Sequence, residues 1–130
     1  MDDIRNAFAV LTDAVEDCTG LWDAVWELVG VPSDDAEGER LYDSKIADAQ
    51  SILQKFVSYK LIELREGKSW PSGADQEVDI PPSEVNSVFT TLKYWHPPEE
   101  GGAYICFHAT SAGKDVWHRG IDALSTHLTS

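Results

Sequence analysis

Two kinds of side chain are scarce in this 130-residue sequence: cysteine, with two copies, and the bases, with 10 lysines and arginines against 23 aspartates and glutamates. Two cysteines are too few for a disulfide framework. Cys18 and Cys106 stand far apart and in no C-x-x-C pair, so both are expected to be reduced and mostly buried. The shortage of bases leaves a formal charge of −13, which repels phosphate backbones and anionic lipid headgroups and favours a basic partner. No apolar run approaches membrane-spanning length, and Met1-Asp2-Asp3 opens the chain without a basic leader region; a cytoplasmic protein with no membrane partner is expected. Gly101-Gly102 lacks the glycine and lysine spacing of a phosphate-binding loop, and no pair of carboxylates has a distinctive catalytic spacing. Internal repeats and low-complexity tails are also missing. These absences predict no catalytic residues, no metal and no cofactor.

Hydrophobic residues make up 42% of the chain, enough for one domain over residues 1–130 that buries roughly two-thirds of the surface of its unfolded chain. Helical periodicity dominates. Ile4, Ala7, Phe8, Leu11, Ala14, Val15 and Cys18 share one face of a first helix starting near Asp2. Thr19-Gly20 is a stop signal, after which Leu21, Trp22, Val25, Trp26 and Val29 continue a similar stripe; one bent helix and two helices both fit. Ser33 is a good N-cap, and Tyr42, Ile46, Ala49, Leu53 and Phe56 then trace a long apolar face. Leu61–Arg65 and Ala103–Ala109 are expected to be strands. Between them lie a loop from Lys68 to about Pro82 and a helical segment capped by Ser83 that carries Val85, Val88, Phe89, Leu92 and Trp95 up to Pro97-Pro98. Thr110 is placed to cap a last helix with Ala112, Val116, Trp117, Ile121 and Leu124 on its apolar side.

Two junctions carry a family resemblance. Leu53, Phe56 and Val57 followed by Lys60-Leu61-Ile62 resemble the helix-to-strand junction of a winged helix-turn-helix domain, and Thr110-Ser111-Ala112-Gly113-Lys114 is similar to the start of the helix that follows its wing. The resemblance spans about Gly20 to Leu124. It implies an α+β, mainly helical, winged-helix-like fold with a small two-stranded wing, expanded by an insertion over residues 68–102. Two features differ from the family pattern: Lys60 replaces the usual glycine, and the wing is enlarged. The family role would place the helix from Ser33 to Tyr59 in a DNA major groove, with Lys55, Lys60, Arg65 and Lys68 as phosphate contacts. The fold also implies terminal helices free to pair with a second copy.

The charge pattern opposes that role. Residues 1–50 hold 13 acids and 3 bases, residues 51–130 hold 10 acids and 7 bases, and the presumed recognition helix starts with Asp34, Asp35, Glu37 and Glu39. A non-catalytic interaction module is therefore the favoured expectation. It would bind a basic protein through Asp34, Asp35, Glu37 and Glu39, through aromatic anchors at Trp70, Tyr94 and Trp95, or both. A winged-helix DNA-binding regulator is the alternative. A small metal or thiol enzyme comes third, resting on Cys106 and His108, two apart on one strand face. Ser111 and Lys114 have the spacing of some acyl enzymes but are accounted for by a helix start.

Overall fold

In the computed structural model, the described residues are 2–16, 18–29, 36–68 and 77–129. Helix α1 (Asp2–Glu16) buries Ala7, Val10, Leu11 and Ala14, one stripe at three-and-four spacing. Thr19-Gly20 does more than stop this helix. It forms a two-residue strand, β1, whose Thr19 and Gly20 pair antiparallel with Phe107 and Cys106, and α2 (Leu21–Val29) starts directly after it. The two helical stripes of the sequence are thus two helices, hinged by a strand. The Asp23 carboxylate accepts a hydrogen bond from the Gly20 backbone and so caps the start of α2.

Helix α3 (Ala36–Ser58) buries Tyr42, Ile46, Ala49, Leu53 and Phe56, the face that the periodicity predicts; the expected cap at Ser33 lies outside the described residues. Its C-terminus is closed by two bonds, Leu61 N–H to Phe56 O (2.8 Å) and Lys60 N–H to Val57 O (3.0 Å). That is a Schellman cap, and its left-handed position is held by Lys60 at φ 62°. The chain then enters β2 (Ile62–Gly67), where Ile62 and Leu64 point to the core and Glu63 to solvent.

Two further strands complete one antiparallel sheet in the order β1-β4-β2-β3: β3 (Val78–Asp79) within the expected loop, and β4 (Tyr104–Ala109), which pairs with all of β2. Among the described residues the sheet therefore has four strands where the sequence suggested a two-stranded wing. The two added edges are only two residues long, too short for any alternating pattern to reveal.

The segment after Ser83 is not one helix. A 3₁₀ turn (Pro82–Glu84) precedes the short helix α4 (Val85–Phe89), and a second 3₁₀ turn (Leu92–Trp95) follows. The hydroxyls of Thr90 and Thr91 donate to the Ser87 carbonyl, a local bond that competes with helix propagation. At the other side of β4, Thr110 caps helix α5 (Ser111–Arg119) as expected, its Oγ1 accepting from Gly113 N–H (3.1 Å). Gly120, at φ 103°, separates α5 from a distinct α6 (Ile121–Thr129), dividing what the sequence presents as one last helix. Trp95, Phe56, Phe107, Leu11, Leu21, Leu53, Leu61, Ile105 and Leu124 are fully buried and join the sheet to the helices in one α+β, mostly helical core. Helix α1 packs against both α5 and α6, so the terminal helices are partnered within the chain.

Candidate functional site

The residues singled out from the sequence scatter over the fold. Asp34, Asp35 and Trp70 lie outside the described residues, as does the side chain of Glu37, while Glu39 is exposed on α3. Trp95 is a core residue rather than an exposed anchor. Its indole N–H donates to Phe89 O (2.9 Å), its carbonyl accepts from the Tyr42 hydroxyl, and the 3₁₀ turn that rotates it inward leaves Leu92 exposed in its place. Tyr94 is half-buried beneath the Lys93 ammonium, 5.1 Å from its ring centroid.

Nor do the candidate phosphate contacts form one surface. Lys55 lines a small depression with Lys45 and Asp48, whereas Lys60 sits on the rim of a groove with Glu63 and Asp79. Arg65 is engaged by Asp79, Nε to Oδ1 at 3.0 Å. Lys68 follows the far end of β2 from Lys60, beyond a six-residue strand about 20 Å long. The groove itself, of about 600 Å³, has apolar walls from Val57, Ile62, Leu64, Ile80, Pro81 and Val85.

What the fold does gather is negative charge. The Asp13 carboxyl of α1 is hydrogen-bonded to that of Glu27 on α2, with Glu16 and Asp23 close enough to act on it electrostatically. Burial first, and then the Glu27 charge, push Asp13 up to about 7, so Asp13 is partly protonated near neutrality. Burial raises Asp23 as well. The field extends to α3: after burial, Asp23 and Asp43 both hold the Tyr42 phenol above its ordinary value. Among the described residues, no lysine or arginine forms an ion pair with Asp13, Glu16, Asp23 or Glu27. Residues from helices separated by a strand make up this cluster, and sequence spacing alone gave no sign of it beyond the acid excess of the first 50 positions.

A second cluster was also hidden. Cys106, on the middle of β4, is hydrogen-bonded not to a neighbouring histidine but to Cys18, which β1 brings alongside; the sulfur atoms and a Glu77 carboxylate oxygen lie within 4.8 Å of one another. The bond to Cys18, burial and the Glu77 charge all push the Cys106 thiol up. The Tyr104 hydroxyl donates to Glu77 Oε2 at 2.5 Å. His108, the expected companion of Cys106, faces Glu63 instead, Nε2 to Oε2 at 3.4 Å, and its Nδ1 is buried without a partner among the described residues. Ser111 and Lys114 are both exposed in the first turn of α5.

Among the described residues, no helix is long and apolar enough to cross a membrane. Compared with protein-family models, with curated proteins and with solved structures, the chain finds no match in any of the three.

Proposed function

We propose that this protein is a non-catalytic interaction module that docks a basic protein segment on the acidic surface where α1, α2 and the first half of α3 meet. The observation that carries this reading is the Asp13–Glu27 pair. Two carboxyls hydrogen-bonded to each other, with Glu16 and Asp23 nearby and no described base in an ion pair with any of the four, form a site of strongly negative potential. A lysine or arginine placed there replaces the Asp13 proton and relieves the repulsion, so binding is coupled to proton release near pH 7. Exposed Glu39 and Asp43 extend the same sign of charge along α3.

The winged-helix reading has support of its own in the element order helix-strand-helix-helix-strand-wing-strand, the central strand order β1-β4-β2 and the capped junction at Lys60. Its usual DNA-binding role fits less well. In that role α3 would bring Glu39, Asp43 and Asp48 to the phosphates, while Arg65 is already neutralised by Asp79.

The test is fluorescence anisotropy with a labelled arginine- and lysine-rich peptide and, in parallel, mixed double-stranded DNA, each from low salt upward. Saturable peptide binding that weakens at least about tenfold as added salt shortens the screening length from about 10 Å to about 3 Å, and that is lost in the Asp13→Asn/Glu27→Gln double variant, is the expected result. Peptide binding unchanged in that variant refutes the assigned surface. Salt-sensitive DNA binding without peptide binding replaces the proposal by the regulator reading.

A further inference from the structure

We propose that Cys18, Glu77 and Cys106 form a binding site for one thiophilic divalent cation of the zinc class. The three donors come from three separate parts of the chain: the residue before β1, the residue before β3 and the middle of β4. Their convergence is not a by-product of sheet pairing. Strand β3 is two places from β4 in the sheet, about 10 Å away, yet the Glu77 carboxylate reaches the Cys106 sulfur. Two features of β2 and β4 permit this. Gly67 is the register partner of Tyr104, and a Cβ there would lie 2.1 Å from the tyrosine ring, so the ring occupies the space that a side chain would fill. From that position the Tyr104 hydroxyl holds Glu77 Oε2 at 2.5 Å. A hydrogen bond from outside the ligand set that orients a ligating carboxylate is a recurrent part of metal sites, and it leaves Oε1 for the ion.

The donor set selects the ion. Calcium and magnesium require six or more oxygens, which two thiols and one carboxylate do not provide. Two sulfurs and one oxygen suit zinc, with bonds of about 2.3 Å to sulfur and about 2.0–2.2 Å to oxygen. A tetrahedron with those bonds has edges of about 3.4–3.8 Å. The donors already lie within 4.8 Å of one another, so the site closes with movements of about 1 Å. Cys18 and Glu77 both stand just outside strand ends, where the backbone is least constrained. Water completes the tetrahedron. Charge balance points the same way: Arg65, the register partner of Cys106, is engaged by Asp79, so the thiol–carboxylate cluster lacks that cation. Binding releases the two thiol protons, leaves Glu77 as it is, and joins the Cys18 edge and the Glu77 segment to β4 through the ion.

The experiment is a titration of the full-length, reduced, metal-free protein with cobalt(II), followed by zinc(II). One equivalent of cobalt is expected to give intense thiolate-to-metal charge-transfer absorption that zinc abolishes, with zinc also raising Tm and protecting both thiols from a disulfide-exchange reagent. Glu77→Gln, which preserves shape, is expected to weaken cobalt binding by about tenfold or more, and Cys18→Ser to abolish the charge-transfer band and the Tm rise. No charge-transfer band in the wild-type protein overturns the proposal whether or not either variant folds. So do cobalt binding that is unchanged in Glu77→Gln and thiols that close to a disulfide equally fast with and without zinc.

Discussion

Lys60 is the one described non-glycine residue in the left-handed region, and it sits where a glycine ends most helices of this kind. The position is fixed from both sides. Its N–H closes the Schellman cap on Val57, and its carbonyl accepts the Thr110 hydroxyl at 2.6 Å, so the backbone cannot relax without releasing the start of α5. A side chain there costs roughly 1–2 kcal/mol, partly offset by the greater entropy that glycine loses on folding. Lys60→Gly should therefore stabilise the protein by about 0.5–1 kcal/mol, and Lys60→Val should destabilise it by more than 1 kcal/mol, since branching at Cβ worsens the same clash. Urea midpoints of the two variants, with unchanged slopes, check both signs. An unaltered or lowered midpoint in Lys60→Gly would mean that the lysine stem earns its place by packing on the adjoining groove.

At the scale of elements, the junction between β2 and α5 leaves the least room at any of the described glycines. A Cβ on Gly113 would lie 2.0 Å from the Leu61 carbonyl oxygen, a backbone atom that also accepts the Thr110 N–H. Gly113→Ala must push α5 off β2 and should cost about 1–3 kcal/mol, despite alanine's better helix propensity. A thermal melt in which this variant matches or exceeds the wild type would show that the two elements are not held so tightly. The glycine and its cap were legible, as Thr110-x-x-Gly113, because capping is local chemistry written within four positions. So was α3, whose five buried residues repeat over enough turns to leave no other reading. Elements defined by a distant partner were not. Thr19-Gly20 becomes a strand only because Phe107 and Cys106 lie beside it, and it is this pairing that brings Cys18 to Cys106. Trp95 likewise reads as the end of an amphipathic helix, and only the break at Thr90-Thr91 turns its indole into the core. Both hidden clusters depend on such long-range placement.

For the whole molecule, the consequence of an acidic chain is set by the direction of its titrations rather than by the total of −13. Asp13, Asp23, Tyr42, Tyr104 and Cys106 all hold their protons more tightly in the folded state than their ordinary values imply, and burial contributes each time. The fold thus favours the less charged form of its own acids. For Asp13, raised from 3.8 to about 7, the folded state carries more protons than the unfolded chain throughout that window. Stability must then be greatest below about pH 4 as far as this group is concerned, fall as pH rises through 7, and level off above it. Each unit is worth about 1.4 kcal/mol in full, but the carboxyl is partly exposed and screened, so the retained effect is on the order of 1–2 kcal/mol. Urea unfolding at half-unit steps from pH 5 to pH 8 should show a decline, where many proteins are flat. Asp13→Asn should remove most of that slope and raise stability at pH 8, whereas added salt should reduce the wild-type slope only in part, by screening Glu16, Asp23 and Glu27 while the burial of Asp13 is unchanged. A slope that survives in Asp13→Asn but disappears with salt would assign the repulsion to the acidic surface at large, and the docking surface would then have no focus at the Asp13–Glu27 pair.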